Sequence, residues 1–266
     1  MSNTNAANAA KASGGSPPVQ VDGLRQRLIA LGLTHAAEAL AEELSEAVKH
    51  DRAGHVVLDR LLAHEANARD ERRMRTSLKL SNLPLGMTLG NFDFAFQPSI
   101  ERRVVETLAT CSFIQEHATL LVQGPPGVGK THLVVGLGVR AIEQGFSCAF
   151  YRLEDLLHQM RKDADVAPAR LRRKKYFSVA YLVVDEVGFE PMSASDAGLF
   201  FRLVSYRYRR GSTAITTNKS VKDWPGILAG DEAMTAAILD RLLHKSVVLN
   251  VRGRSYRLQD LEKTLK

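Results

Sequence analysis

Residues 124–131 read Gly-Pro-Pro-Gly-Val-Gly-Lys-Thr, a complete G-x-x-x-x-G-K-T loop. The apolar run Thr119, Leu120, Leu121, Val122 leads into it, and a helical run from His132 to Gln144 leads out. A buried strand turning through glycines into a helix leaves few architectures open, and the strand–loop–helix context separates a phosphate cradle from a chance glycine cluster. In such a loop the backbone N–H groups turn inward around a polyphosphate while the helix N-terminus adds partial positive charge. Gly124, Pro125, Pro126, Gly127, Val128, Gly129, Lys130, Thr131 and His132 therefore form the expected nucleotide-binding segment. Lys130 is expected to reach the β- and γ-phosphates, and the Thr131 hydroxyl to ligate Mg²⁺.

Beyond Pro98, strand-like and helix-like runs alternate. Strands are expected at 119–123, 148–152, 180–184, 213–217 and 247–251, and helices at 100–117, 131–144, 154–162, 197–209 and 233–244. This order predicts an α/β fold with a mostly parallel five-stranded sheet and helices on both faces. Gly145 and Gly211 sit where helix C-caps are expected. Upstream, residues 1–20 hold few large apolar side chains and read as a disordered tail. Residues 21–80 read as a small domain of about three helices, with breaks at Gly32 and Gly54. Residues 81–98 read as a linker carrying Phe92, Phe94 and Phe96, which either pack on a bound base or pin the linker to the α/β domain. That domain covers 99–260, and 261–266 form a short C-terminal tail.

A second signature is Tyr181-Leu182-Val183-Val184-Asp185-Glu186: four buried-strand residues, then two carboxylates at the edge where doubly wound sheets bind ligands. Strands often end in acids. One strand–helix unit beyond a phosphate loop, the pair predicts Asp185 as a Mg²⁺ partner and Glu186 as the group that orients and polarises an attacking water. Asn218 ends the strand 213–217, which should lie between the two motif strands. It reads as a γ-phosphate or water sensor, or as an Asx turn closing the strand. Arg241 and Arg257 are candidates for stabilising charge on the transferring phosphoryl group, Arg241 from a neighbouring subunit. Each has a surface ion pair as its alternative.

Net charge bears on partners. The chain carries +7, which suggests a polyanion. Arg69, Arg72, Arg73, Arg75 and Lys79 lie on the third helix, where Asp70 and Glu71 offer local pairing instead. Segment 161–175 holds seven basic side chains, including Arg172, Arg173, Lys174 and Lys175, against Asp163 and Asp165, a net charge of +5. Contacts to the phosphates of duplex DNA, without base reading, are expected there. Arg202, Arg207, Arg209 and Arg210 are candidates for a face toward a neighbouring subunit. The two cysteines, Cys111 and Cys148, form no C-x-x-C pair and read as small core residues. No apolar stretch approaches a membrane span and no secretory signal pattern opens the chain, so no membrane association is expected and the cytoplasm is the expected compartment.

Taken in order, Gly-Pro-Pro-Gly-Val-Gly-Lys-Thr-His-Leu, Asp-Glu-Val-Gly-Phe, Thr-Thr-Asn-Lys, Ile-Leu-Asp-Arg-Leu-Leu-His and Ser-Tyr-Arg resemble the IstB-like AAA+ ATPases, helper proteins of insertion-sequence transposases related to the DnaC and DnaI helicase loaders. The resemblance covers about Leu24 to Leu258. It implies Walker A roles for Lys130 and Thr131, Walker B roles for Asp185 and Glu186, and sensor 1 for Asn218. It further implies a trans-acting arginine finger at Arg241 and a second-sensor arginine at Arg257. It also implies ATP and Mg²⁺, an ATP-dependent homo-oligomer on double-stranded DNA, and a cognate transposase whose target choice the protein influences. With few residues after Ser-Tyr-Arg, no helical lid domain is expected. Val128 stands where threonine or serine is common.

The alternatives are a loader acting on a replicative helicase, a nucleotide kinase, and a switch that binds ATP without turnover. Asp185-Glu186 argues against the kinase, because a water-activating carboxylate would waste ATP.

Overall fold

A computed structural model describes residues 20–258. The expected tails, 1–20 apart from Gln20 and 261–266, lie outside the described residues. The chain divides into two compact units, Met1–Arg73 and Met74–Lys266.

The first unit contains α1 (Val21–Ala30), α2 (Thr34–Lys49) and the larger part of α3 (Gly54–Ser81), which crosses the division. Gly32, at φ 73°, takes the left-handed turn between α1 and α2 that a Cβ would disfavour. The core is small: Ala36, Leu40, Val57 and Leu61 are buried, with Leu24, Leu28 and Leu44 packed against them. Leu33 at the start of α2 offers no side-chain cap. Glu65 of α3 supplies one instead, accepting from the backbone N–H groups of His35 at 2.9 Å and Ala36 at 3.3 Å. A carboxylate at a helix N-terminus satisfies orphan donors and opposes the dipole.

The second unit continues with a 3₁₀ turn (Leu89–Asn91), α4 (Arg102–Ala109), α5 (Ser112–Gln115), β1 (Thr119–Gln123), α6 (Lys130–Glu143), β2 (Cys148–Arg152) and α7 (Leu153–Lys162). There follow α8 (Pro168–Leu171), α9 (Lys175–Ser178), β3 (Tyr181–Val187), α10 (Ala194–Arg207), β4 (Ser212–Thr217), α11 (Trp224–Ile227), α12 (Glu232–Leu243) and β5 (Ser246–Asn250). The sheet order is β2-β3-β4-β1-β5, and all four pairings are parallel. Alternate strand residues feed two cores. Leu120, Val122, Tyr181, Val183 and Ala214 pack with α4, α5 and α6 on one face. Leu121, Leu182, Val184 and Ile215 pack with α7, α9, α10 and α12 on the other. Burial on both faces is why these strands read as continuous apolar runs.

Segment 83–97 is packed onto this unit. Leu83 and Phe92 are buried, and Leu89 and Phe94 pack beside them. Gly136 on α6 makes room, since a Cβ there would lie 2.9 Å from Leu89 Cδ2. Cys111 and Cys148 are both buried, and burial pushes the Cys148 thiol up to about 12.

Several local expectations are corrected. The helix expected over 100–117 is broken at Cys111, whose φ of 60° ends α4 and lets Phe113 and Ile114 turn into the core. The strand expected at 180–184 continues through both acids to Val187, because Val187 is buried against the same core as Val184. Gly211 is no helix cap: α10 ends at Arg207 and Arg209 takes the left-handed conformation instead, at φ 58°. A Cβ on Gly211 would lie 2.8 Å from the Arg207 guanidinium. Arg207 itself is 2% exposed and faces no neighbour. It donates to the carbonyls of Val179 at 3.0 Å and Ser212 at 2.6 Å and to the Thr213 hydroxyl at 2.9 Å. Burial lowers its pKa to about 10.

Candidate active site

The glycine loop sits between β1 and α6, and the end of the described chain closes on it from behind. A Cβ on Gly124 would lie 2.2 Å from the Val251 carbonyl oxygen, and one on Gly127 would lie 2.1 Å from Ser255 Oγ. The Tyr256 N–H donates to the Gly127 carbonyl at 2.9 Å. This packing carries Tyr256 and Arg257 to a cavity of ≈ 470 Å³. Residues 126–132 of the loop, Glu186, Thr217 and Asn218 line it, with Met87, Asn91, Phe92 and Gln97 from segment 83–97.

The Lys130 ammonium donates to the loop's own carbonyls, Gly124 at 2.8 Å and Pro125 at 2.7 Å. Burial pushes its pKa below the usual lysine value; the Asp185 charge opposes that shift and Arg257 adds to it. Behind the loop, the Thr131 hydroxyl donates to Asp185 Oδ1 at 2.9 Å and stands 3.1 Å from Oδ2. Thr216 on β4 supplies a second hydroxyl to Asp185 Oδ1. Asp185 is 3% exposed, so these hydroxyls compensate its desolvation. Hydroxyl and carboxylate oxygens are the hard donors that suit Mg²⁺, which keeps its waters and takes one or two carboxylates plus phosphate oxygens. One hydroxyl and one carboxylate are the kind of donor pair that fits an ion carried in with phosphate oxygens and water.

Glu186 sits at a register shift between β3 and β4, between Val184 and Val187. Its φ of 63° is left-handed, a strain of about 1–3 kcal/mol for a residue with a Cβ. The Glu186 N–H, donating to Thr216 Oγ1 at 3.0 Å, holds that geometry. The irregularity leaves Asp185 buried while Glu186 faces the cavity. In this conformation Arg152 Nε, from the end of β2, stands 3.6 Å from Glu186 Oε2. Asn218, just past β4, lies between the β1 and β3 ends and lines the cavity. Val128 is 1% exposed and packs into the core. The His132 ring lines the cavity but turns toward segment 83–97. Its Nε2 lies 2.9 Å from both the Thr88 carbonyl and Asn91 Oδ1, two acceptors that place the proton on Nε2.

Arg241 does not join this group. Near the C-terminal end of α12, it donates to the Ala237 carbonyl at 2.6 Å and lies 5.2 Å from the Phe201 ring centre. It borders a separate cleft of ≈ 320 Å³ with His117, Thr119, Arg209 and His244, at the amino edge of the sheet.

A profile described as IstB-like ATP binding protein matches residues 26–264. The chain belongs to that family. An insertion sequence IS21 putative ATP-binding protein of Pseudomonas aeruginosa is 39% identical over 233 residues, 88% of each chain. An insertion sequence IS5376 putative ATP-binding protein of Geobacillus stearothermophilus is 35% identical over 230 residues, 86% of this chain and 91% of the relative. The crystal structure of DnaI aligns with a TM-score of 0.52 at 18% identity, over 63% of this chain and 92% of that one. That likeness shows the fold alone, a parallel α/β sheet with the glycine loop between its first strand and the helix that follows.

The basic candidates separate by partner. Arg69 is tied to Glu65 at 2.8 Å and to the Gly32 carbonyl at 2.9 Å, and Arg73 pairs with Asp70 at 3.3 Å. Lys174 is spent on the largely buried Asp163 at 2.7 Å, and Lys175 on the Leu80 carbonyl at 2.8 Å. Arg161 pairs with Asp196. Arg72, Arg75, Arg172 and Arg173 are exposed. Sequence reading missed Thr216, Arg152 and Gln97. In-register pairing of Arg152 with Asp185 was visible only once strand neighbours were known. No helix among the described residues is long and apolar enough to cross a membrane.

Proposed function

We propose that this chain is an AAA+ ATPase that helps an insertion-sequence transposase, oligomerising on duplex DNA and using ATP hydrolysis to regulate target choice. The carrying observation is the contact between Thr131 and buried Asp185 behind an intact glycine loop, with Glu186 facing the same cavity. The names of the relatives favour transposition over helicase loading.

In this reading the loop N–H groups and Lys130 hold the triphosphate, Lys130 exchanging its loop carbonyls for phosphate oxygens. A Mg²⁺ ion held by Thr131 and Asp185 would neutralise charge developing between the β- and γ-phosphates. Glu186 orients and deprotonates the lytic water, and Asn218 contacts the γ-phosphate or that water. Arg257, which lines the cavity, acts on the phosphates of its own chain. Arg241, at the opposite sheet edge, acts on a neighbour's. The Arg152 contact holds the Glu186 carboxylate back in the resting protein.

DNA is bound through phosphates, with Arg72, Arg75, Arg172 and Arg173 as the side chains available for it. The decisive experiment is Glu186→Gln with duplex DNA: ATP should still bind while phosphate release slows about 10²- to 10⁴-fold. Unchanged hydrolysis removes Glu186 from the mechanism, and absent ATP binding in the native protein removes the reading itself.

A further inference from the structure

The turn that follows β3 is anchored at both ends and bare at its tip. Gly188 begins it at φ 87°, and a Cβ there would lie 2.6 Å from Ile227 Cδ1. The Met192 N–H closes it by donating to the Ile227 carbonyl at 2.8 Å. Between these ties Phe189, Glu190 and Pro191 are exposed, Phe189 to 71%. A fixed turn that holds a phenylalanine out in water is stabilised by any surface that covers the ring. Phe189 and Glu186 line the nucleotide cavity and also an adjoining cleft of ≈ 360 Å³. That cleft is acidic. Arg152 faces Glu186 and Arg161 pairs with Asp196, which leaves Glu154 and Glu190 in its lining without a cation.

The amino-edge cleft beside Arg241 has the opposite character. Arg207 is bonded to backbone carbonyls, and Lys245 pairs with Glu116. Arg209 is left exposed, its guanidinium 5.1 Å from the Tyr208 ring centre. Tyr208 meets the His244 ring edge-on, with centroids 5.8 Å apart, and Val204 and Leu242 add aliphatic lining. The cleft thus sets a cation beside aromatic and apolar groups, and the turn sets an anion beside an uncovered aromatic ring.

We infer that the 188–192 turn of one copy of this chain docks in the amino-edge cleft of a second copy, with Glu190 paired to Arg209 and Phe189 packed against Tyr208 and His244. This rests on the reading that Arg241 acts on a neighbour's nucleotide, and it names the contact that sets the register of the two copies. Arg241 lines the same cleft as Arg209, and Phe189 lines the same cavity as Glu186, so the two contacts are adjacent on both partners. The turn and the cleft are different surfaces, so the contact runs head to tail and each copy can use both. An exposed ion pair adds little affinity, but like charges in its place oppose docking strongly.

The test uses the full-length protein with ATP and duplex DNA, and reads assembly by sedimentation velocity. Glu190→Arg and Arg209→Glu each put like charges across the contact. Each should raise the protein concentration needed for half-assembly about tenfold or more. Both should bind ATP as the native protein does, since neither residue lines the nucleotide cavity. The double variant E190R/R209E, and an equal mixture of the two single variants, should assemble at the native concentration, because opposite charges then meet at every contact. A loss in Glu190→Arg is not a loss of DNA affinity, since the change adds positive charge. Native assembly in either single variant overturns the inference, and so does a double variant no better than the singles. An Arg209→Glu protein that assembles normally but holds duplex more weakly gives the cleft to DNA and overturns it too. The Arg241 reading survives all of these results. A native protein that stays monomeric with ATP and duplex overturns both.

Discussion

The two edges of the central sheet are built from the same strands and do opposite things with polar groups. At the carboxyl edge, Thr131 and Thr216 converge on Asp185, and the cavity before them keeps Lys130, Glu186 and Asn218 turned inward. At the amino edge, Arg207 is consumed by backbone carbonyls and Lys245 by Glu116 at 3.1 Å, while Arg241 makes one bond to its own helix and rests beside an aromatic ring. One edge has carboxylates and a phosphate loop but not Arg241; the other has Arg241 but no phosphate loop. Parallel strands force this separation, because everything at a strand's C-terminal end shares one edge. A chain whose reaction needs both sets must bring two copies together.

Arg241→Ala attacks the division most directly. Turnover at saturating ATP should fall about 10³-fold or more while ATP affinity stays within about twofold, since an arginine finger acts on the transition state. Parallel loss of affinity would place Arg241 in its own chain's cavity. Glu186→Gln should reduce turnover about 10²- to 10⁴-fold with ATP retained, read by single-turnover phosphate release. Thr216→Val probes the support beneath the carboxylates. It leaves Asp185 one donor short and the Glu186 N–H without an acceptor, so about 1–3 kcal/mol of stability should be lost in a denaturant titration. Turnover should drop about tenfold as Glu186 loses its fixed geometry. Arg152→Ala should move the other way. An exposed pair at 3.6 Å contributes at most about 1 kcal/mol, so basal hydrolysis without DNA should rise no more than about fivefold. A fall instead would make Arg152 a helper of Glu186 and not its restraint.

What was legible in the sequence tracks how local each feature is. The loop, the strands and the place of Asn218 between the motif strands could be read because each depends on a short run of residues and on the strand–helix alternation. Gly211 and Arg207 misled, since their roles depend on carbonyls from β3's approach and β4 that no local spacing announces. Thr216 was hidden inside a strand, where a threonine ordinarily signals only β-propensity. Charge counting also treats Lys174 and Lys175 as unpaired members of a basic run, whereas Lys174 bonds to Asp163 and Lys175 to the Leu80 carbonyl. A pair of substitutions at Arg172 and Arg173 is therefore the cleaner probe of duplex binding, and should lower the salt dependence of affinity by about two counterions.

The central claim is that one copy's amino edge completes another copy's carboxyl edge. Mixing inactive Arg241→Ala protein with inactive Glu186→Gln protein on duplex DNA tests it without a structure. The first keeps a working Glu186, the second keeps Arg241, and an assembled mixture should hydrolyse ATP well above the sum of its parts. A mixture as inactive as either variant alone, in oligomers shown to contain both, would mean that each chain works within itself.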